Sequence, residues 1–198
     1  MAVIHRTTLV PSKLELLTDW LPRQDWCVGA LSGPSLAKVG GFRLDDPAGE
    51  AGIEFMVVRN DAAREDTAYL VPMTYRGSAL AGADAHLIGT AEHGVLGTRW
   101  IYDGTCDPAL QRQLAELIQG RAQAQAQSQS NTPDATVRTT PAAAAPGEQL
   151  DISFARLLRP ADGPVPAGVG QVTGLWTATD GALVRSVFVS ARRATGTS

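Results

Sequence analysis

Apolar and polar side chains alternate most clearly from position 68 to position 76. The alternate positions that share one predicted face are Tyr69, Val71, Met73 and Tyr75. This period of two predicts a strand with one buried face. Because Pro72 has no amide hydrogen to donate, the strand is predicted to lie at a sheet edge or to bulge at that residue.

Two earlier stretches, 36–44 and 52–59, have the same strand-like pattern. In the second, Ile53, Phe55 and Val57 share one face, and the sequence DDPAG between the two stretches is typical of a turn. Three successive strands with short polar connections favour an antiparallel sheet.

Two helices are predicted to flank these strands. Ser12 and Glu15 form a capping box at the start of the first helix, which Pro22 ends. Asp107 is the predicted N-cap of the second, with Pro108 as its first residue. The apolar stripe of this second helix consists of Leu110, Leu114, Leu117 and Ile118. The fold class predicted is therefore α+β, a curved antiparallel sheet packed on helices.

The composition changes after position 120. Residues 121–148 are rich in Ala, Gln, Ser, Thr and Pro, and they are predicted to form a flexible linker because they offer little apolar area to bury. Strand patterns return at 151–158, 171–178 and 182–191, and Asp180-Gly181 predicts a tight hairpin. The chain is thus divided into a domain at 1–120, a linker at 121–148 and a small antiparallel β segment at 149–198.

The composition of the 198 residues excludes several classes of protein. A formal net charge of −3 argues against nucleic acid or an acidic membrane as a partner. Cys27 and Cys106 lie far apart, so free thiols are expected rather than a disulfide framework. No apolar leader and no apolar run of membrane-spanning length occur, and a cytoplasmic location is therefore predicted.

Six residues with functional side chains fall within positions 86–103. The candidate binding surface consists of His86, Glu92, His93, Arg99, Trp100 and Asp103. A structural role in packing and capping is the competing interpretation. Adjacent strand residues point to opposite faces, which weakens Glu92 and His93 as an acid–base pair. The histidines, including His5, lack the spacing of metal ligands, so no metal site is predicted. No catalytic residue is predicted either.

The aromatic residues allow a second hypothesis, a platform on which sugar rings stack. Its candidates are Trp20, Trp26, Trp100 and Trp176, with Tyr69, Tyr75 and Tyr102. Most of them occupy apolar positions of their elements, so core packing is favoured. The glycine-rich residues 168–174 do not have the spacing of a phosphate-binding loop. Lys13 and Lys38 are the chain's only lysines, which argues against a kinase-type nucleotide site, and no cofactor is predicted.

Several short motifs resemble, in order, the maltokinase N-terminal cap family. Residues 20–26 (WLPRQDW) are similar to its opening W-L-x-x-Q-x-W/Y, and residues 69–76 (YLVPMTYR) to its Y-x-V-P-L-x-Y-R strand. The motifs EHGVLG at 92–97, WIYDG at 100–104 and DP at 107–108 follow. The resemblance covers roughly residues 10–120.

This resemblance implies a cystatin-like cap, which in full-length maltokinases precedes a kinase-like body that phosphorylates maltose with ATP and magnesium. Residues 150–193 resemble the start of the intermediate region between cap and body. No kinase-like body is expected within these 198 residues, so the resemblance implies a non-catalytic module that docks onto or regulates an enzyme of α-glucan, maltose or trehalose metabolism. Stand-alone members are often labelled α-glucan branching proteins, which indicates a pathway rather than an activity. The alternatives are a maltodextrin-binding module and a maltokinase-like phosphotransferase.

Overall fold

The computed structural model describes residues 9–28, 36–61, 67–127, 129, 131–145 and 148–194. Within them the chain forms two α-helices, α1 (Lys13–Trp20) and α2 (Pro108–Ile118). The strands are β1 (Leu9–Val10), β2 (Leu36–Leu44), β3 (Ala51–Asn60), β4 (Ala68–Arg76), β5 (Leu87–His93), β6 (Gly97–Asp103), β7 (Arg138–Thr140), β8 (Leu150–Phe154), β9 (Leu157–Leu158), β10 (Gly170–Thr177) and β11 (Leu183–Arg193). Short 3-10 turns lie at Leu21–Arg23, Asp84–His86 and Gly104–Cys106.

All eleven strands belong to one antiparallel sheet. Its order is β1-β5-β6-β4-β3-β2-β10-β11-β8, while β7 pairs with β10 and β9 pairs with β4. The predicted α+β class with an antiparallel sheet is confirmed. The cystatin-like arrangement stays a prediction.

The central strands bury side chains on both faces of the sheet. On β3, Phe55 and Val57 belong to a cluster that includes the apolar side of α2, and Met56 and Val58 belong to a cluster that includes α1. We call these sides the α2 face and the α1 face. The prediction of one buried face for β4 was wrong, because apolar clusters with a helix cover both sides of the sheet.

Pro72 lies in an interior strand, so its predicted position at an edge or bulge was wrong. It pairs with Phe55 of β3 without a register shift. On its other side, β4 pairs with β9 at Ala68 and Tyr69 and with β6 from Met73 onward. The Leu70 amide points to that side, where it donates to Arg156 O at 2.9 Å. Because backbone groups alternate in direction, position 72 points into the gap between the two partner strands, where no amide donor is needed.

The predicted helix signals are confirmed. The Ser12 hydroxyl accepts from the Glu15 amide, and the Glu15 carboxylate accepts from the Ser12 amide at 2.7 Å. Asp107 caps α2 by accepting from the Ala109 amide at 2.9 Å. Gly120 follows α2 with φ of 74°, a left-handed conformation that favours glycine.

The Ala- and Gln-rich segment makes contacts with the sheet in its described part. Gln125 and Arg43 exchange backbone hydrogen bonds of 2.9 Å in both directions. Ala124 and Ala142 are buried in the α2-face cluster, and β7 extends one side of β10. The division into domain, linker and tail stays a prediction, but described residues of all three segments share one sheet and one apolar cluster.

The predicted hairpin at Asp180-Gly181 joins β10 to β11 and is confirmed. The Ala178 amide donates to Ala182 O at 2.8 Å, and Gly181 has φ of 85°. The glycine-rich stretch before it runs into β10 instead of forming a loop. A Cβ atom on Gly174 would lie 2.5 Å from the Phe188 ring, so this glycine serves close packing.

Candidate functional site

The β5–β6 hairpin presents two exposed apolar residues at its tip. Val95 is 63% exposed and Leu96 is 46% exposed, between strands that pair from Leu87 to His93 with Tyr102 to Gly97. Gly97 closes the turn with φ of 69°. We call residues 94–97 the hairpin tip. Exposed apolar side chains held on an ordered turn can be buried in a pocket of another protein at little cost in conformational entropy.

Three of the six predicted site residues hold this tip in place. His93 Nδ1 accepts from the amides of Val95 at 3.3 Å and Leu96 at 3.1 Å. The Arg99 guanidinium donates to the Leu96 carbonyl. Below the turn, Thr98 Oγ1 donates to the Glu92 carboxylate at 2.6 Å. These contacts satisfy two amides and one carbonyl of the turn and restrict the direction in which Val95 and Leu96 point.

The predicted surface is divided between the two faces of the sheet. Opposed residues of an antiparallel pair point to the same side, and Ala91, which opposes Arg99, is buried in the α1-face cluster. Arg99 and His93 therefore lie on the α1 face. Glu92 and Trp100 lie on the opposite face. His86 is exposed in the 3-10 turn before β5, apart from both pairs.

Asp103 is buried, which corrects its assignment to an exposed surface. Only 5% of the residue is exposed, and its carboxylate accepts a hydrogen bond from the guanidinium of Arg156. Thr105 donates to the same carboxylate through its hydroxyl at 3.0 Å. The Arg156 guanidinium also lies 4.8 Å from the ring centroid of Trp26. Asp103 thus links β6 to the segment between β8 and β9.

Most of the aromatic side chains proposed for sugar stacking are inside the protein. Trp20 and Trp176 are 6% and 3% exposed. Trp26 packs between Trp20, at 5.8 Å between ring centroids, and Tyr69, at 6.1 Å, with Arg156 over its ring. Trp100 is half-buried on β6. A stacking platform requires adjacent open ring faces, and these tryptophans do not provide one.

A buried carboxylate, Glu54 on β3, gathers polar groups from distant parts of the chain. It is 3% exposed and accepts from Lys13 Nζ at 2.5 Å, the Tyr75 hydroxyl at 2.8 Å and Gln127 Nε2 at 2.9 Å. Burial, and then Glu54 itself, raise the pKa of Tyr75 well above 10. Burial lowers the pKa of nearby Lys38, and the negative charge of Glu54 partly offsets this decrease.

The Glu54 cluster was not predicted from the sequence, although one signal for it exists. Glu54 interrupts the otherwise apolar run from Ile53 to Val58, and a buried charge needs a partner. The only two lysines of the chain are both near this carboxylate. Their convergence could not be predicted because it depends on how α1 packs on the sheet, which brings Lys13 to a carboxylate 41 positions away.

The described residues give further information on metals, thiols and membranes. Among them no group of three or more His, Cys, Asp or Glu side chains could hold a metal ion. Cys27 and Cys106 are half-buried free thiols, and burial raises the pKa of each. No helix in the described part of the chain is long and apolar enough to cross a membrane.

The sequence of the region that carries the hairpin and Glu54 matches a known family. Residues 20–107 match the maltokinase N-terminal cap domain. This confirms the resemblance over that range, which we call the cap region. No curated protein and no solved structure matches the chain. The hairpin tip and Glu54 lie inside the cap region, whereas α2 and the strands from β7 to β11 follow it.

Proposed function

We propose that this chain is a non-catalytic, cytoplasmic docking module for an enzyme of α-glucan, maltose or trehalose metabolism. The observation that carries the proposal is the hairpin tip, where Val95 and Leu96 are exposed while His93 and Arg99 hold the turn. The maltokinase cap match supports this group of pathways as the place to look for the partner.

The contact surface is the tip together with the side chains at its base. A turn that is already ordered loses little conformational entropy when its apolar residues enter a pocket, and the apolar area that the two residues bury there contributes to affinity. Glu92 and Trp100 border the tip on one face of the sheet, and His93 and Arg99 border it on the other. Asp103 is left out of the surface because it is buried.

The direct test measures binding between the full-length chain and purified pathway enzymes. Maltokinase, trehalose synthase and branching enzyme are passed over the immobilised chain in biolayer interferometry. We expect one of them to bind and the double substitution Val95→Ser with Leu96→Ser to weaken binding by about tenfold or more. Binding that is unchanged in this variant would reject the tip as the contact.

A matched control is available on the other hairpin. Leu183, at the start of β11, is 68% exposed, so Leu183→Ser removes a similar apolar side chain from a different surface. Its binding should equal that of the wild type.

The double substitution Arg99→Ala with Trp100→Ala should abolish binding while the melting temperature stays nearly unchanged. A large loss of stability would mean that these two residues are structural.

Two further measurements separate the alternatives. Calorimetry with maltose and longer maltodextrins should give no heat, and saturable binding would favour a carbohydrate-binding module. Incubation with labelled ATP, magnesium and maltose should give no product. Turnover that survives rigorous purification would contradict the non-catalytic assignment.

A further inference from the structure

Among the described residues, the sheet ends at β8, a strand that pairs there on one side only. Its register with β11 runs from Phe154 opposite Val189 to Leu150 opposite Arg193. In the sheet order β8 is the last strand, at the opposite end from β5 and β6. Its outer side borders a groove of about 600 Å³ between β8 and α2, to which Gln111, Arg112 and Ala115 contribute from the helix.

The direction of the β8 backbone groups follows from two hydrogen bonds to β11. The Ala155 amide donates to Phe188 O at 3.0 Å, and the Ala194 amide donates to Gln149 O at 2.9 Å. Backbone groups alternate along a strand, so positions 151 and 153 also face β11. The amides and carbonyls of Leu150, Ile152 and Phe154 therefore face outward. No described residue forms a backbone hydrogen bond with them.

This edge lacks several of the features that usually prevent strand addition. β8 contains no proline, no lysine and no bulge, and its pairing with β11 is regular. The side chains of Leu150, Ile152 and Phe154 pack against the α2-face cluster, while Asp151 and Ser153 point to the other, exposed side. An open, regular edge is a template for another strand.

We propose that β8 pairs antiparallel with β8 of a second copy of this chain, about a two-fold axis at Ile152, to form a homodimer with a continuous sheet. In this register Ile152 opposes its own copy, and Leu150 opposes Phe154 of the other copy. Each of these three residues, whose backbone groups face outward, then opposes a residue of the other copy whose backbone groups also face outward. Three such pairs with two hydrogen bonds each give a ladder of six.

The side chains select this register over its neighbours. Leu150 and Phe154 bring apolar side chains together on the α2 face, and Asp151 opposes Ser153 on the exposed face, which avoids a like-charge pair. If the two-fold axis were at Asp151, Asp151 would oppose its own copy and only two outward positions would be paired. An axis at Ser153 would likewise leave one outward position unpaired. The strand is therefore complementary to itself in one arrangement.

Sedimentation velocity of the full-length chain over a concentration series tests the dimer. We expect a reversible monomer–dimer equilibrium that shifts with the charge at position 153. Ser153→Asp places two carboxylates opposite each other twice in the dimer and should weaken it by about three- to tenfold. Ser153→Lys places an ammonium opposite Asp151 twice and should strengthen it by a similar factor.

The two Ser153 variants control for folding, because this side chain is exposed and opposes Ser190 within one chain. Ile152→Pro is the second test: it removes an outward amide without removing a bond to β11, and it should abolish the dimer while circular dichroism stays unchanged. A monomer at all concentrations, or a dimer that is insensitive to these substitutions, would overturn the proposal. The hairpin tip is at the other end of the sheet, so this result is independent of enzyme docking.

Discussion

The α2 face and the α1 face of the sheet differ in the side chains that close them. On the α2 face, Phe42 stacks on Phe55 at 4.4 Å and on Phe188 at 6.3 Å between ring centroids, which joins the cap region to β11. The α1 face includes apolar side chains as well, but Glu54 and Asp103 are buried beside them. The stacked rings of the α2 face depend on complementary volume and shape, whereas the two buried acids of the α1 face require specific cations.

Each side of the sheet has an ion pair with a buried acid, Asp107 with Arg76 on the α2 side and Glu54 with Lys13 on the α1 side. The ion pair of the α2 side lies at the start of α2, where Arg76 Nε donates to Asp107 Oδ2 at 2.7 Å and Arg76 Nη2 donates to Asp107 Oδ1 at 2.6 Å. Asp107 is fully buried. The Glu54 cluster is more accessible, since the side chain of Lys13 is 37% exposed. We therefore expect substitution of Asp107 to lower the free energy of unfolding more than substitution of Glu54.

The largest effect is expected for Asp107→Ala. This change removes the N-cap of α2 and leaves the Arg76 guanidinium without its buried partner, which should lower the free energy of unfolding by about 3–5 kcal/mol. Urea denaturation followed by circular dichroism measures the loss. A loss below about 1 kcal/mol would show that water can replace the carboxylate.

The control for Asp107 is Glu50→Gln. Glu50 is half-exposed and pairs with Arg112 at 2.9 Å and Arg76 at 3.9 Å, so its loss should cost less than about 1 kcal/mol.

Burial raises the pKa of Asp107, but hydrogen bonds from Arg76 and Ala109 outweigh burial and hold the pKa below its ordinary 3.8. This stabilisation is therefore complete above about pH 4 and is lost as the pH falls further, where the wild type and Asp107→Asn should converge.

A smaller effect is expected on the α1 face for Glu54→Gln. Glutamine keeps an acceptor for Tyr75 but removes the charge that pairs with Lys13, and the partly exposed ammonium can be hydrated. We expect a loss of about 1–3 kcal/mol in the same denaturation assay. Ultraviolet titration should also show a fall in the pKa of Tyr75, because Glu54 helps to raise it.

The exposed pair of Glu116 and Arg121, at 2.7 Å, gives the control for Glu54. Glu116→Gln should change the free energy of unfolding by less than about 0.5 kcal/mol. If Glu54→Gln is equally mild, Glu54 contributes packing and hydrogen bonding but little through its charge.

The smallest effect is expected at alkaline pH and should again involve the α1 face. Burial, with a contribution from Cys27, raises the pKa of Tyr69 to about 12. A raised pKa stabilises the folded chain below the unfolded pKa near 10, and this stabilisation is lost as the pH rises from about 10 toward 12. The free energy of unfolding should therefore decrease over this interval in the wild type, and less steeply in Tyr69→Phe. Parallel curves for the two proteins would contradict the prediction.

Local signals in the sequence predicted local structure well. The capping box at Ser12, the N-cap at Asp107 and the turn at Gly181 each depend on neighbours within a few residues, and all three are confirmed. Pro72 was misplaced because its surroundings depend on β6 and β9, which are distant in sequence. A missing amide donor indicates only that no bond is needed at that point, which is also true in a gap between two partner strands.

The candidate site could be predicted in part. The residues of the β5–β6 hairpin were identified by their chemistry, but the sequence could not show that His93 and Arg99 support a turn instead of lining a surface. Val95 and Leu96 were overlooked because apolar residues are usually assigned to the interior. Gln127 was assigned to a linker, and its contact with Glu54 spans 73 positions of the chain.

The two cations that pair with the buried acids of the α1 face come from outside the cap region. Glu54 and Asp103 lie in the cap region, but Lys13 precedes it and Arg156 follows it. A fragment cut at the family boundaries would retain both acids and lose both counter-charges. We therefore expect a fragment of residues 20–107 to be less stable than the full chain, and a chimera that transplants this region to need Lys13 and Arg156 or replacements for them.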